Sequence, residues 1–175
     1  MRKLSNDELD RKSVEEFRVS EKSPFTIVLD NIRSFHNVGS VFRSADAFLV
    51  EAIYLCGITG TPPHREIHKT ALGATESVIW KYFGTTLEAI DKLKKDGYGI
   101  ISIEQAEESV SLRDFHPKTG KKYGLVFGHE INGVAQEVVD KSDYVIEIPQ
   151  FGTKHSFNIS VTVGIVLWDL YNKLY

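Results

Sequence analysis

Three short polar clusters stand out in this sequence because they combine residue types that bind ligands and stabilise charge. They span residues 31–45, 127–133 and 148–158. Each cluster follows an apolar segment that predicts a buried strand. In α/β proteins, ligands bind in the crevice beyond the carboxyl ends of the strands. We therefore predict a ligand crevice at these strand ends, with the third cluster as the rim of an active site.

The polar side chains of the clusters could take part in chemistry or serve local structure. Arg43 can bind an anion through its guanidinium group or form a salt bridge on a helix surface. Asn37 can orient a bound group or cap its helix, and Ser156 and Asn158 have the same two roles at the last helix. Glu130 can hold Arg43 or a neighbouring loop through its carboxylate, or remain a solvated turn residue. The residue types alone leave these alternatives open.

Other kinds of site receive little support from the sequence. No G-x-G-x-x-G segment follows a strand and no phosphate-binding loop is present, which disfavours dinucleotide and ATP chemistry. His64 and His68 lie four residues apart but in a predicted loop beside Pro63, so we expect no metal site. Cys56 is the only cysteine and ends an apolar segment, which predicts a buried, unreactive thiol.

Strands and helices alternate along the chain, and these elements would position the clusters. Strands are predicted at residues 25–29, 51–56, 78–83, 100–103, 123–127 and 143–148. Helices are predicted at residues 37–48, 86–95 and 158–170. This alternation predicts an α/β fold with a mostly parallel sheet, right-handed crossovers and flanking helices.

The composition is that of a globular protein, with 42% hydrophobic and 26% charged residues. We expect one domain over residues 1–175, with a short helical arm at about residues 1–22. Two capping-box patterns predict one or two short helices in this arm, with Leu9, Val14 and Phe17 facing inward.

Charge and hydropathy narrow the setting of the protein. No apolar stretch approaches the ~20 residues of a membrane span, and no signal peptide is apparent, so we predict a cytoplasmic protein. The net charge of -3 argues against a generally basic nucleic-acid-binding surface, although local patches can still bind phosphate.

The spacing of the three clusters matches the motifs of a known family. They read N-x5-N-x-G-x3-R-x-A, G-x-E-x2-G and I-P-x6-S-x-N, and they resemble the signature motifs of the SpoU, or TrmH, branch of the SPOUT RNA methyltransferases. The resemblance covers residues 28–167, and the segment 69–74 is similar to the pre-insert segment of the family. Phe157 stands where the family more often has Leu, a change that leaves a backbone role intact.

The resemblance implies a fold, a cofactor and an assembly. The fold is an α/β sheet whose C-terminal part forms a deep trefoil knot, S-adenosylmethionine lies bent in that knot, and the protein is a homodimer. The cofactor-binding positions that it implies are Ile103, Glu104, Gly128, Ile148, Ser156 and Phe157. A side chain at Gly128 would also block close approach of backbone, so we predict that Gly128→Val blocks the pocket and leaves much of the fold intact.

The implied reaction is methyl transfer from S-adenosylmethionine to a ribose 2′-hydroxyl of tRNA or rRNA. The implied catalytic residues are Asn37, Arg43, Glu130, Ser156 and Asn158. Because a guanidinium group stays protonated, we favour Arg43 as a clamp for a phosphate or the developing alkoxide over Arg43 as a general base. Lys154 and His155 would be accessory groups that face phosphates.

Two alternatives remain open beside ribose methylation. A protein of the same knotted fold could methylate a base, or it could bind RNA without catalysis. The presence of all the polar motif residues weighs against a non-catalytic protein. We also predict that a homodimer forms through the last helix, because residues 161–170 are mostly apolar and Trp168 and Tyr171 are candidates for exposed aromatic side chains.

Overall fold

The apolar segments of the sequence form the parallel strands at the centre of the molecule. The computed structural model describes the backbone of residues 1–175 and every side chain except that of Asn6. Within this described chain the strands are β1 (Ser23–Asp30), β2 (Val50–Cys56), β3 (Trp80–Phe83), β4 (Gly99–Ile103), β5 (Val110–Ser111), β6 (Tyr123–Phe127) and β7 (Tyr144–Glu147). They form one sheet in the order β3-β2-β1-β6-β4-β7-β5, and all of its pairings are parallel.

Helices connect the strands and cover the sheet. They are α1 (Val14–Val19), α2 (Phe35–Ala47), α3 (Arg65–Ala71), α4 (Ala74–Ser77), α5 (Thr86–Lys95), α6 (Gln136–Lys141) and α7 (Ile159–Leu174), and a short 3-10 helix (Asn6–Leu9) precedes them. The predicted α/β fold with a mostly parallel sheet and flanking helices is therefore confirmed. The trefoil knot stays a prediction of the resemblance.

The hydrophobic core lies on both faces of the sheet, as burial of a parallel sheet requires. Successive residues of β1 point to opposite faces: Ile27 and Leu29 pack with Phe42 of α2 and with α7, whereas Val28 packs with Leu93 of α5. All of these side chains are buried. The sheet is thus held between α2 and α7 on one side and α5 and α6 on the other, and its strand ends are fixed relative to both layers.

A close contact between α2 and α3 fixes the first polar cluster. A Cβ atom at Gly39 would lie 2.1 Å from Oγ1 of Thr70 and 2.3 Å from the carbonyl oxygen of Ile67. The hydroxyl of Thr70 also donates a hydrogen bond of 3.0 Å to the carbonyl oxygen of His36. Only glycine allows this approach, so the start of α2 is held against α3 at the height of Asn37.

Some local predictions were wrong. Residues 65–71 form α3, with His64 as its N-cap, so His68 lies on a helix and not in a loop. The helix that was expected to begin at Asn37 begins at Phe35. In the N-terminal arm Phe17 is buried as predicted, but Leu9 is exposed. Over the described part of the chain, no helix combines the length and apolar character needed to cross a membrane.

Candidate active site

A cavity of about 530 Å³ opens at the carboxyl ends of β4, β6 and β7. We call it the strand-end cavity. The predicted cofactor-binding residues all line it: Ile103, Glu104, Gly128, Ile148, Ser156 and Phe157. Glu130 and Asn158, from the predicted catalytic set, line it as well. The structure therefore brings the second and third polar clusters together around one space.

Glu104, directly after β4, anchors the loop that forms one wall of the cavity. Its Oε2 accepts a hydrogen bond of 2.8 Å from the backbone N–H of Val134, and its Oε1 accepts one of 2.9 Å from the N–H of Gln105. A Cβ atom at Gly133 would lie 2.1 Å from Oε2 of Glu104. The carboxylate thus reaches across the cavity wall and fixes the end of the loop that follows β6.

The loop after β6 closes on itself in a tight turn. The backbones of His129 and Gly133 exchange two hydrogen bonds of 3.0 and 2.9 Å. Nδ1 of His129 accepts hydrogen bonds from the N–H groups of Ile131 at 3.1 Å and Asn132 at 3.3 Å. Gly133 has a φ of +67°, which favours glycine. The turn presents Glu130 at the mouth of the cavity.

Gly128 is required by this turn. A Cβ atom there would lie 2.1 Å from the carbonyl carbon of Gly133 and 2.1 Å from the nitrogen of Val134. Such distances are far inside van der Waals contact, and both atoms belong to the backbone. A larger side chain at Gly128 must therefore displace the turn itself, so we expect Gly128→Val to disturb the loop after β6 as well as to block the pocket.

Glu130 fixes the loop between β1 and α2. Its carboxylate accepts hydrogen bonds from the backbone N–H groups of Arg33 and Ser34, both at 3.1 Å, and from Nδ2 of Asn37 at 3.2 Å. Partial burial raises the pKa of Glu130, but hydrogen bonds from its own backbone and from these three residues outweigh it, so the pKa lies below its usual value. The carboxylate binds the neighbouring loop, one of the two partners expected, and makes no ion pair with Arg43 among the described side chains.

Asn37 joins all three polar clusters. Its Nδ2 donates to Glu130, and its Oδ1 accepts a hydrogen bond of 3.1 Å from Nδ2 of Asn158. Asn158 is the N-cap of α7, since its Oδ1 accepts from the N–H of Ser160 at 2.9 Å. The N-cap of α2 is Ser34, whose Oγ accepts from the N–H of Asn37. Asn37 is thus free of capping and acts as the central link.

Arg43 and Ser156 are placed differently. Arg43 is exposed on α2, two turns beyond Asn37, and it does not line the cavity. No hydrogen bond or ion pair of its side chain occurs among the described side chains, so the salt bridge considered as its structural alternative is not formed. Ser156 lies in the loop two residues before the N-cap of α7 and is exposed at the cavity. Both side chains remain available to an external group.

The loop that precedes α7 forms the opposite lip. Nε2 of Gln105 donates a hydrogen bond of 2.8 Å to the carbonyl oxygen of His155, which ties this lip to the end of β4. The lip is therefore anchored to the end of β4, and the side chains of Lys154, His155 and Phe151 are exposed on it.

Asp30, at the end of β1, is a buried link that sequence reasoning missed. Its carboxylate accepts hydrogen bonds from the hydroxyl of Thr86 at 2.6 Å, from Nδ2 of Asn31 at 2.9 Å and from the N–H of Ala135 at 3.0 Å. It joins β1 to the starts of α5 and α6. The only signal was an acidic residue directly after an apolar strand, which does not reveal its partners.

The chemistry of the cavity walls fits S-adenosylmethionine. Glu104, Glu130 and Glu147 line the cavity, and its described lining contains no lysine or arginine. These carboxylates suit a ligand with sulfonium and ammonium charges, while Ile148 and Phe157 offer apolar surface for a purine ring. The volume also lies within the range of ~300–1,000 Å³ that is usual for small-molecule sites.

Two expectations about reactive side chains concern other parts of the chain. Cys56 is buried, and this burial raises the pKa of its thiol to about 12, so the thiol stays protonated near neutral pH. Among the side chains that the structure describes, no group of three or more His, Cys, Asp or Glu residues is placed to hold a metal ion.

Comparisons with known proteins match most of the chain to one family. Residues 24–168 match the sequence model of the SpoU rRNA Methylase family. A tRNA (guanosine(18)-2'-O)-methyltransferase of Borreliella burgdorferi is 28% identical over 149 residues, which are 85% of this chain and 66% of that protein. The chain spans about three fifths of the length of the staphylococcal TrmH-family relatives that it also matches.

Solved structures share the fold. The crystal structure of an AdoMet-bound rRNA methyltransferase from Sinorhizobium meliloti matches with a TM-score of 0.81 and 26% identity, over 89% of this chain and 58% of that chain. A TrmH/SpoU tRNA modifying enzyme from A. aeolicus matches with a TM-score of 0.80 and 25% identity, over 91% of this chain and 81% of that chain. The parallel sheet and its flanking helices are thus arranged as in these enzymes.

Proposed function

The chain belongs to the SpoU rRNA methylase family, and from this premise we propose that it transfers a methyl group from S-adenosylmethionine to a ribose 2′-hydroxyl of tRNA or rRNA. The observation that carries the proposal is the chain of hydrogen bonds from Glu130 through Asn37 to Asn158. It links residues of all three motifs beside a cavity of suitable size and charge. A purely structural protein would have no need to join these three loops around an open space.

In this proposal the strand-end cavity holds the methyl donor. S-adenosylmethionine supplies an electrophilic methyl group on its sulfonium sulfur. Gly128, Ile148 and Phe157 would contact the donor through backbone at three loops, with Ile103 and Glu104 at the fourth strand end. The hydrogen bonds to Val134 and Gln105 hold the Glu104 carboxylate in place, and they leave its negative charge on the cavity wall.

The polar residues at the mouth would act on the RNA ribose. A 2′-hydroxyl is a poor nucleophile, so the site must stabilise the charge that develops on its oxygen and hold it in line with the donor. Ser156 and Asn158 line the cavity and would orient the ribose, while the hydrogen bonds of Asn37 to Glu130 and Asn158 keep their loops at a fixed separation. Arg43 would clamp a phosphate or the developing alkoxide. Its guanidinium group is exposed, offers a planar fork of N–H donors, and forms no ion pair among the described side chains.

The proposal extends to organisation and setting. We propose one catalytic domain over residues 1–175, with the C-terminal part knotted around the donor and the protein active as a homodimer in the cytoplasm. The apolar α7, with Trp168 62% exposed, supports a dimer contact there. Tyr171, expected to be exposed, is half-buried against Phe48, with ring centroids 5.8 Å apart, so Trp168 is the better candidate for the interface.

The test combines donor binding with product mapping. Calorimetric titration of the protein with S-adenosylmethionine should show binding, and transfer of labelled methyl to unmodified tRNA or rRNA should then be mapped as 2′-O-methyl ribose. Methyl groups mapped to bases would favour a base methyltransferase of the same fold. Donor or RNA binding without any transfer would reject an enzyme, provided that transcripts of all the cellular tRNA and rRNA species have been offered.

Comparison of ribose methylation in cells with and without the gene would identify the nucleotide. A single 2′-O-methyl signal that disappears on deletion, and returns with the wild-type chain, is the expected result. Return of the signal with an Arg43→Ala chain would argue against the proposed role of Arg43.

A further inference from the structure

An aromatic side chain stands in solvent at the lip of the strand-end cavity. Phe151 is 84% exposed, although Gln150, its neighbour in the chain, lines the cavity. Single exposed apolar side chains are common on protein surfaces. Here, however, Phe157 on the same lip is 42% exposed and Ile131 on the facing turn is 78% exposed. Apolar groups are therefore concentrated at the mouth of one cavity.

One face of the Phe151 ring already has a partner. The guanidinium carbon of Arg113 lies 5.7 Å from the ring centroid, within the range of cation–π contact. The loop that carries Arg113 is fixed by hydrogen bonds of the Arg113 backbone. The Arg113 N–H donates to Oγ of Ser111, and the Arg113 carbonyl oxygen accepts from Nζ of Lys173. Because the ring stays largely exposed with Arg113 beside it, its other face is open to a flat ligand.

The charges around the ring suit a polyanion. Arg113 and Lys154 are exposed, and neither forms an ion pair among the described side chains. An open aromatic face with a cation beside it is the arrangement that binds unpaired bases of RNA, since every base has a π-face and each nucleotide carries a phosphate. A base within a duplex is already stacked on both sides and cannot use such a surface.

We propose that Phe151, backed by Arg113, is a stacking platform for an unpaired RNA base next to the nucleotide that is methylated. The stack itself needs only that the ligand is RNA, whereas its position next to the methylated nucleotide rests on the proposed function. The stack would hold a neighbouring base at the lip while the target ribose reaches Ser156 and Asn158 in the cavity. The platform thereby restricts the substrate class to single-stranded segments such as loops.

The experiment measures binding of a short single-stranded RNA that contains 2-aminopurine, and of the same sequence as a duplex. We expect Phe151→Leu to weaken single-strand binding by about tenfold, within the range of losing one base stack, and to abolish quenching of the 2-aminopurine fluorescence. Phe151→Trp should retain both signals, and Arg113→Ala should weaken binding with partial quenching. Duplex binding should be the same in all of these variants.

The matched control removes an exposed aromatic ring elsewhere. Tyr82 is 53% exposed on β3, at the opposite edge of the sheet, and Tyr82→Leu should bind both RNAs as the wild type does. Wild-type single-strand affinity and quenching in Phe151→Leu would overturn the proposal. So would a Phe151→Leu protein that binds RNA normally but becomes monomeric in light scattering, because the ring would then belong to a subunit contact.

Methyl transfer, measured separately, distinguishes this failure from failure of the proposed function. If the wild type methylates ribose and Phe151→Leu binds RNA unchanged, only the platform is rejected. If the wild type transfers no methyl group to any RNA but Phe151→Leu loses binding and quenching, the platform stands and the enzyme assignment falls.

Discussion

The site depends on both the hydrogen-bond donor and the hydrogen-bond acceptor of the Asn37 side-chain amide. Its Nδ2 donates to Glu130 and its Oδ1 accepts from Asn158, so the side chain is a donor to one loop and an acceptor from another. Aspartate in its place would keep the shape but lose the donor, and it would set a second negative charge against Glu130. The requirement for asparagine thus follows from the contacts themselves, independently of any contact with substrate.

Arg43 offers the sharpest test of catalysis at the scale of a residue. Arg43→Ala should lower single-turnover methyl transfer by roughly a hundredfold or more, because it removes a charge that would strengthen its contact in the transition state. Affinity for S-adenosylmethionine should change little, since Arg43 does not line the cavity. Arg43→Lys should recover only a small part of the rate, because lysine lacks the planar fork.

The comparison needs folded proteins. Thermal unfolding should be unchanged in both Arg43 variants, as expected for an exposed side chain without an ion pair among the described residues. A folded Arg43→Ala protein that transfers methyl groups at the wild-type rate would remove Arg43 from the catalytic set.

Glu130 should make stability depend on pH in acid. Its pKa is lowered in the folded protein, so the ionised carboxylate contributes stability above the unfolded-state value of about 4.3, and that stability is lost as pH falls through the lower folded-state value. Glu130→Gln cannot ionise and should be less stable than the wild type at neutral pH. The difference between the two melting temperatures should shrink below about pH 4.

Glu137 supplies the control for this measurement, because it is exposed in the first turn of α6. Glu137→Gln should parallel the wild type across the same pH range. A constant gap between Glu130→Gln and the wild type from neutral pH to acid would contradict the role given to the carboxylate.

At the scale of elements, the turn after β6 limits what Gly128 can become. Even alanine would place its Cβ 2.1 Å from backbone atoms of Gly133 and Val134, so Gly128→Ala should destabilise the protein by about 1–3 kcal/mol and weaken donor binding. Gly152, on the opposite lip, has no atom within 4 Å of its Cβ position. Gly152→Ala should therefore leave both the unfolding free energy and donor affinity unchanged.

Chemical denaturation and calorimetric titration of the two glycine variants check this prediction. If Gly128→Ala and Gly152→Ala have the same unfolding free energy and the same donor affinity, the prediction is wrong, because the turn after β6 then accommodates a Cβ atom without loss of stability.

The elements that the sequence predicted well are those with a long hydrophobic pattern. Each predicted strand segment coincides with or overlaps a strand of the sheet, because each is an apolar run with turn residues after it. The elements that were missed are short: α3 has seven residues, α4 has four, α6 has six and β5 has two. An element of one or two turns does not repeat a period often enough to be distinguished from a loop, and its formation depends on packing.

The site was predictable to a similar extent. Motif spacing identified which residues matter, but the contact between Asn37 and Asn158 joins positions 121 residues apart. Such a pair meets only because β1, β6 and β7 end at the same edge of the sheet. The sequence around each residue does not show which distant residue lies next to it in the fold. For the same reason, the sequence left two possible partners for the Glu130 carboxylate, which were Arg43 and a neighbouring loop.

At the scale of the whole molecule, we expect a homodimer that depends on α7. Trp168 is 62% exposed, and its ring lies 6.3 Å from that of Phe48 in an edge-on contact. An aromatic group so exposed on an apolar helix favours a subunit contact. Trp168→Glu should therefore shift the protein from dimer to monomer at micromolar concentration in light scattering.

A charge on another exposed aromatic position is the control. Tyr82→Glu, on the edge strand β3, should remain a dimer. A folded Trp168→Glu protein that remains a dimer would mean that the interface lies elsewhere. A monomeric wild type would mean that no such dimer forms.

The strand order also has a consequence for biosynthesis. β1 lies between β2, which follows it after one helix, and β6, whose residues 123–127 are made much later. Until β6 emerges from the ribosome, the backbone N–H and C=O groups along one edge of this apolar strand have no partner, and unpaired strand edges promote aggregation. Chains that end before Tyr123 should therefore sediment as aggregates, whereas the full chain stays in the supernatant. For this protein, completion of synthesis and protection from aggregation are coupled through a single pair of strands.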